Sequence, residues 1–283
     1  MQKILFRRKN KKNLFSIICA TLGKENNLFK LCESLQSQNY KKFELIICDQ
    51  NKENFNRVTI KKFKKIKIKF LKTKIGLSKS RNQGIKVASG DFFIFLDDDI
   101  LLKKNYLKKI NLYLNKTNCD ILCYKVKNLN KKNLLNYPNF NKYLLNQYEI
   151  FNYISSVSFV IKNYKSLNFD EKIGLGSKSK YQSGEETDLI LKIYKKYKPR
   201  IFFLSTLYIF HLEKNIKFLS MIKKNYFYGC GWRYVVNKRE LNLKFKFNYI
   251  FKIILNIFFH IATLNFKKAC FSFATFLGRS NVF

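Results

Sequence analysis

Three consecutive acids, Asp97, Asp98 and Asp99, have the clearest capacity for chemistry in this 283-residue chain. They follow directly on Phe92-Phe93-Ile94-Phe95-Leu96, a short apolar run of the kind that makes a fully buried strand. Adjacent carboxylates repel one another unless something cationic sits between them. A hard divalent cation that bridges to phosphate oxygens is the natural candidate. The triplet is poor surface filler, because only 18 Asp and Glu stand against 56 Lys and Arg. A second acid group, Glu185, Glu186 and Asp188, follows Ser183-Gly184 and opens a helical pattern carried by Leu189, Leu191 and Ile193. One acid in a first turn complements the helix macrodipole. Three in four positions exceed what capping needs, and one of them suits the work of a general base. His211 ends an apolar run at 207–210, and a neutral imidazole beside an Asp is a reasonable ligand pair for an Mn²⁺-like ion.

The elements that must position these groups alternate along the chain. Residues 14–20 predict a buried strand, broken by Thr21-Leu22-Gly23-Lys24, and Leu28, Leu31, Cys32 and Leu35 share one helical face. A second strand at 43–48 ends at Asp49. A polar helix over 54–63, a strand over 66–71, a helix ahead of Gly90, a helix over 102–114 and a strand at 121–124 follow. Strands and helices alternating at this spacing predict an α/β fold with a mostly parallel, doubly wound sheet. Ligands bind such sheets outside the carboxyl ends of the strands, where Thr21, Asp49 and Asp97 would gather. No Gly-x-Gly-x-x-Gly and no Walker loop follows the first strand, so a dinucleotide or ATP cradle is not indicated. Further on, 155–161, 201–204 and 207–210 read as three strands, and Gly174-Leu175-Gly176-Ser177 reads as a mobile loop.

Composition narrows the class. Hydrophobic residues make up 47% and aromatics 17%, ample for a large core, while the formal net charge is +38. Such charge fits a polyanion, an anionic membrane face or lysine used as generic surface. The seven cysteines include no C-x-x-C pair and read as reduced packing residues, which points to the cytosol. The first 13 residues read as a basic arm whose apolar segment is too short for a signal peptide.

Taken in order, SIICATLGKENN, ESLQSQNYKKFELIICDQN, GLSKSRNQGI, SGDFFIFLDDDI, SGEETDLILKI and the strand-terminal His211 resemble an inverting glycosyltransferase of family 2 over roughly residues 14–240. The resemblance implies the A-type glycosyltransferase fold, Rossmann-like and mostly parallel. It implies a donor that is a nucleoside-diphosphate sugar, a UDP-sugar first, with Mn²⁺ or Mg²⁺ as cofactor. The acceptor it implies is a glycan or polyprenyl-linked sugar at the inner face of the cell membrane, in polysaccharide biosynthesis. Ala20, Thr21 and Asp49 would border the nucleotide, and Arg81 and Asn82 would position the nucleotide or the acid loop. Asp97 and Asp99 would form an Asp-x-Asp motif, with Asp98 between them on the nucleotide-sugar side and Asp99 and His211 at the metal. Glu186 would be the base, with Glu185 and Asp188 in contention. The sequence departs from the family pattern at Ala20-Thr21, Gly23-Lys24 and Gln50. A single displacement needs no protein nucleophile.

A nucleic-acid-binding protein would share the charge, yet no nucleic-acid signature is present and the acids would be idle. A non-catalytic glycan-binding relative would be expected to lose the acids, and a nucleotidyltransferase would carry a Gly-rich phosphate loop. The division expected is a basic arm at 1–13, a transferase domain at 14–215 and an amphipathic helical region at 216–283. Residues 253–266 are the longest stretch of that region free of Lys, Arg, Asp and Glu, and flanking lysines fit a segment lying in the interface of an anionic membrane. The loops at 125–153 and 174–183 would set the acceptor.

Overall fold

The structure, a computed structural model, describes residues 11–23, 25–52, 62–212 and 216–280. Most of the expected basic arm and of the polar helix at 54–63 lies outside the described residues. Among the described residues nine strands form one sheet in the order β3-β2-β1-β4-β8-β6-β9-β5, with β7 on β9. The first half is parallel. Here β1 (Phe15–Thr21) pairs with β2 (Phe43–Asp49) and β4 (Phe92–Asp97), and β2 pairs with β3 (Lys67–Lys72). β8 (Phe159–Lys162) runs antiparallel between β4 and β6 (Ile121–Lys127), and β6 is again parallel to β9 (Ile201–His211).

The apolar run of β1 is buried on both faces because successive side chains alternate. Phe15, Ile17 and Cys19 pack with α1 (Glu25–Gln36) and α3 (Tyr106–Thr117), while Ile18 and Ala20 pack with α2 (Leu77–Val87) and α5 (Glu185–Tyr197). The position of α2 depends on Gly84, where a β-carbon would stand 2.5 Å from the Ile18 side chain. Six cysteines are buried and Cys270 is exposed, all as free thiols. Burial pushes those of Cys32 and Cys48 up to about 12, so they are inert packing groups.

Several boundaries differ from the sequence reading. The 102–114 helix starts only at Tyr106: the carbonyls of Lys103 and Lys104 accept from Gln38 and Asn39, and a turn closed by the Tyr106 amide on the Lys103 carbonyl precedes the helix. The two strands expected at 201–204 and 207–210 are one, β9. It carries a bulge that jumps from Leu204 to Tyr208 against Tyr124 and Lys125, with Ser205 held by Asn141. Residues 155–158 are a turn closed by Ser158, and the strand begins after it. The loop read as mobile is stitched to α2: Ser78 donates to the Ile173 carbonyl and the Leu77 amide donates to that of Leu175. The middle of the chain, unreadable in sequence, holds β7 (Lys142–Leu144) and α4 (Gln147–Tyr153). Three helices close the chain: α6 (Phe218–Lys238), α7 (Leu243–Ala262) and α8 (Phe266–Arg279).

Candidate active site

Register delivers the predicted residues to one edge. Thr21 stands opposite Asp49, Ala20 opposite Asp97 and Asp49 opposite Lys72, so four parallel strands end together. Asp49 accepts from the Asn51 amide and side chain and pairs with Lys72 at 3.2 Å. Gln50 occupies a position where the family pattern has an acid, and its Oε1 accepts from the Gly76 amide at 2.7 Å, fixing the entry to α2.

The three acids separate at once. Asp97 closes β4, Asp98 and Asp99 form the turn, and β5 (Ile100–Leu101) follows. Asp98 turns back to accept from the Thr21 hydroxyl at 2.6 Å. Asp99 is buried, and its backbone carbonyl accepts from Leu212, just past His211. β5 pairs with the end of β9, Ile100 opposite His211, which locks the imidazole beside the acid turn. Donor atoms of Asp97, Asp99 and His211 lie within 4.8 Å of one another. The His211 Nε2 is 3.6 Å from Asp99 Oδ1, while Nδ1 faces the Leu212 carbonyl at 3.0 Å. A carbonyl can only accept, so Nδ1 carries a proton, and in the neutral tautomer that this leaves, Nε2 presents its lone pair toward the acids. Two carboxylates and an imidazole suit Mn²⁺ or another divalent ion as a donor set.

Arg81 is fully buried and reaches both acid groups. Its guanidinium lies 3.1 Å from Asp97 and 3.3 Å from Glu185, donates to Ser156 at 2.8 Å, and is flanked by the rings of Phe95 and Phe169 at 5.7 and 5.6 Å. The neighbouring Asn82 faces elsewhere. Its amide binds the Phe169 backbone in both directions and reaches Glu171, bordering a separate cavity under residues 163–168.

The acids of α5 also divide. Glu185, Glu186, Asp97 and His211 line one cavity of about 280 Å³ with Leu134, Leu135, Ser155, Ser156, Gln182 and Tyr228. Burial pushes the Glu185 carboxyl up, against the pull of Arg81. Burial and then the charge of Glu185 raise Glu186, which holds its proton well above the ordinary carboxylate range. Asp188, two residues past Glu186 and so about half a turn round the helix, points away and is held by Lys238 at 3.0 Å and Arg239 at 2.7 Å. Sequence reasoning missed Tyr228 and Ser156. Tyr228 comes from α6, beyond residue 215, and burial followed by the nearby acids raises its hydroxyl. The available signal was the Gly229-x-Gly231 pair beside it, since Gly231 packs directly on the Ser183 backbone before α5.

The sequence profile of glycosyl transferase family 2 matches residues 16–173, more than half of the chain, and the chain belongs to that family. Its relatives are named glycosyltransferases. It is 30% identical over 122 residues to the poly(ribitol-phosphate) beta-N-acetylglucosaminyltransferase TarS of Staphylococcus aureus, covering 41% of this chain and 21% of that protein. It is 32% identical over 104 residues to WfgD of Escherichia coli, a UDP-Glc:alpha-D-GlcNAc-diphosphoundecaprenol beta-1,3-glucosyltransferase, covering 36% of this chain and 41% of that one. These alignments thus span less than half the length of either relative. The crystal structure of S. aureus TarS 1-349 in complex with UDP-GlcNAc superposes with a TM-score of 0.60 at 18% identity, over 93% of this chain and 90% of that one. The fold is the A-type glycosyltransferase fold, as the motif order implied.

Proposed function

We propose that this chain is an inverting glycosyltransferase that moves a sugar from a nucleoside-diphosphate sugar, a UDP-sugar, to a hydroxyl of a glycan or polyprenyl-linked acceptor. The observation that carries the reading is one cavity walled by Asp97 and His211, two members of a cation-binding set, and by Glu186, a carboxylate poised to take a proton. Asp99 and His211 would hold Mn²⁺ or Mg²⁺, with Asp97 completing the set. When bound, the ion neutralises charge on the departing diphosphate.

The rest belongs to the chain itself. Thr21 and Asp98 brace each other behind the crevice, and Asp49, backed by Lys72, faces the nucleoside. Arg81 fixes Asp97 and Glu185 from behind, so both carboxylates keep their orientation as charge moves. Glu186 takes the proton from the acceptor hydroxyl. That oxygen bonds to the anomeric carbon as the bond to the diphosphate oxygen breaks on the opposite face, which inverts the carbon. Asp188 is left out, because its oxygens are committed to Lys238 and Arg239. The transferase chemistry is assigned to residues 14–215, with Tyr228 added as a wall from beyond that boundary. WfgD is named for transfer from UDP-Glc to a diphosphoundecaprenol-linked sugar and TarS for transfer to poly(ribitol-phosphate), and a TarS structure holds UDP-GlcNAc; together they support the substrate class and a place in the cytoplasm at the inner face of the membrane.

The test is hydrolysis of a nucleotide-sugar panel with and without Mn²⁺ or Mg²⁺, wild type beside Asp99→Asn. Metal-dependent release of nucleoside diphosphate from one donor, absent in the variant, is expected. Release that ignores both metal and variant would overturn the assignment.

A further inference from the structure

Residues 241–280 carry six basic side chains (Lys244, Lys246, Lys252, Lys267, Lys268 and Arg279) and no Asp or Glu. The same stretch exposes a concentration of large apolar side chains. On α7, Phe247, Phe251, Leu255 and Phe258 recur at i, i+4, i+8 and i+11 and so share one side, opposite the buried Phe245 and Ile253. Phe258 is 66% exposed and Phe259 62% exposed. Leu264 in the turn, and Phe266, Phe273 and Leu277 of α8, are exposed as well. Monomeric soluble proteins rarely expose contiguous apolar surface on this scale without a partner for it.

Charge selects the partner. Lys252 is the one charged residue between 247 and 262, and it donates to the Tyr148 hydroxyl at 2.5 Å and lies over the Tyr148 ring, on the protein side of the helix. Lys244 flanks the apolar stripe at one end, and Lys267 and Lys268 flank it at the other. We propose that α7 and α8 form a docking surface for an anionic lipid bilayer. Aromatic and aliphatic side chains on one face with lysines at the margins are what an interfacial helix needs. A second copy of a chain with formal net charge +38 would be repelled from this surface. By length and composition α7 could cross a bilayer, but its inner face is occupied: Phe245 and Tyr249 pack with Tyr148, Phe151 and Trp232. It therefore lies along the membrane surface.

The docking surface is joined rigidly to the cavity. α8 and α6 meet backbone to backbone, with Gly278 against the Tyr226 carbonyl and Gly229 against that of Thr275, and α6 carries Tyr228 into the cavity wall. A bilayer held by α7 and α8 sits at a fixed distance from Glu186. This deepens the proposed function, on whose lipid-linked acceptor it rests for its catalytic purpose, whereas docking itself needs no turnover.

Co-sedimentation of the full chain with phosphatidylcholine vesicles, with and without phosphatidylglycerol, tests it. Capture by the anionic vesicles should exceed capture by neutral ones roughly tenfold at low salt and fall as salt rises. The double variant Phe251→Asp/Phe258→Asp, altered only at exposed positions and checked for folding by circular dichroism, should lose that capture. Equal capture by both vesicles, no capture, or capture unchanged in the variant would overturn the proposal. A dimer in light scattering that the same variant dissolves would assign the surface to a second copy instead. Vesicle capture without turnover of any donor would leave docking standing and remove the transferase reading.

Discussion

Glu186 and Asp188 are two residues apart on one helix, yet they live under opposite electrostatic conditions. Asp188 is buried in a balanced group on the side of α5 that meets the end of α6, where Asp170 and Asp188 face Lys238 and Arg239. Glu186 faces a cavity whose lining includes Asp97, Glu185 and Glu186 and, among the described residues, no Lys or Arg; Arg81 reaches that acid group from behind. A balanced group is finished chemistry and holds α5 to α6. An unbalanced one has a high affinity for protons or cations. Identity and spacing alone could not separate the two residues; the neighbours that each one meets do so.

The sharpest way to break this contrast is to neutralise each acid in turn. Glu186→Gln should cut sugar transfer about a thousandfold while leaving UDP binding intact, measured by turnover beside calorimetry. Asp188→Asn should do the reverse. It should lower unfolding free energy by about 2 kcal/mol, because Arg239 and Lys238 lose a buried partner, with turnover per folded molecule within a few-fold of wild type. If Asp188→Asn abolished turnover in well-folded protein, the base would have been misassigned.

The two groups should also titrate in opposite directions. The base form of Glu186 is deprotonated and its proton affinity is raised, so turnover should climb with pH through a limb above the ordinary carboxylate range. At Asp170 burial acts upward, but Lys238 and the neighbouring donors outweigh it and hold the carboxyl below its usual value. Its stabilising contribution is therefore full above the unfolded-state value and is lost as pH falls through the lower folded one. Denaturant unfolding followed from neutral to acid pH should show that loss, while the turnover limb lies well above it.

Much of the site was legible because the sheet is simple where it matters. An apolar run ending in Thr21, Asp49 or Asp97 announces both a buried strand and the polar edge at its end, and parallel register then brings the ends together. His211 was legible for the same reason. Arg81 was named by position but not by mechanism; nothing local shows that Phe95 and Phe169 clasp its guanidinium or that Ser156 accepts from it. Asn82, adjacent in sequence, proves to serve the Phe169 backbone and the Glu171 side chain, because two consecutive helical residues point about 100° apart. The commitment of Asp188 depends on where α6 ends, fifty residues downstream, and Tyr228 enters the cavity from the same helix. Such long-range placements are packing results with no periodic signature. In the C-terminal helices the exposed apolar stripe was visible in composition, whereas which side of α7 faces the core required Trp232 and Tyr148.

The central claim is that Asp97, Asp99 and His211 hold a divalent ion beneath the diphosphate of a nucleotide sugar. Calorimetric titration of UDP into the wild type and Asp99→Asn, each with and without Mn²⁺, tests it most directly. The account predicts wild-type binding that strengthens at least tenfold with Mn²⁺ and no such gain in the variant. Equal UDP affinity in all four titrations, or no binding in any, would contradict it.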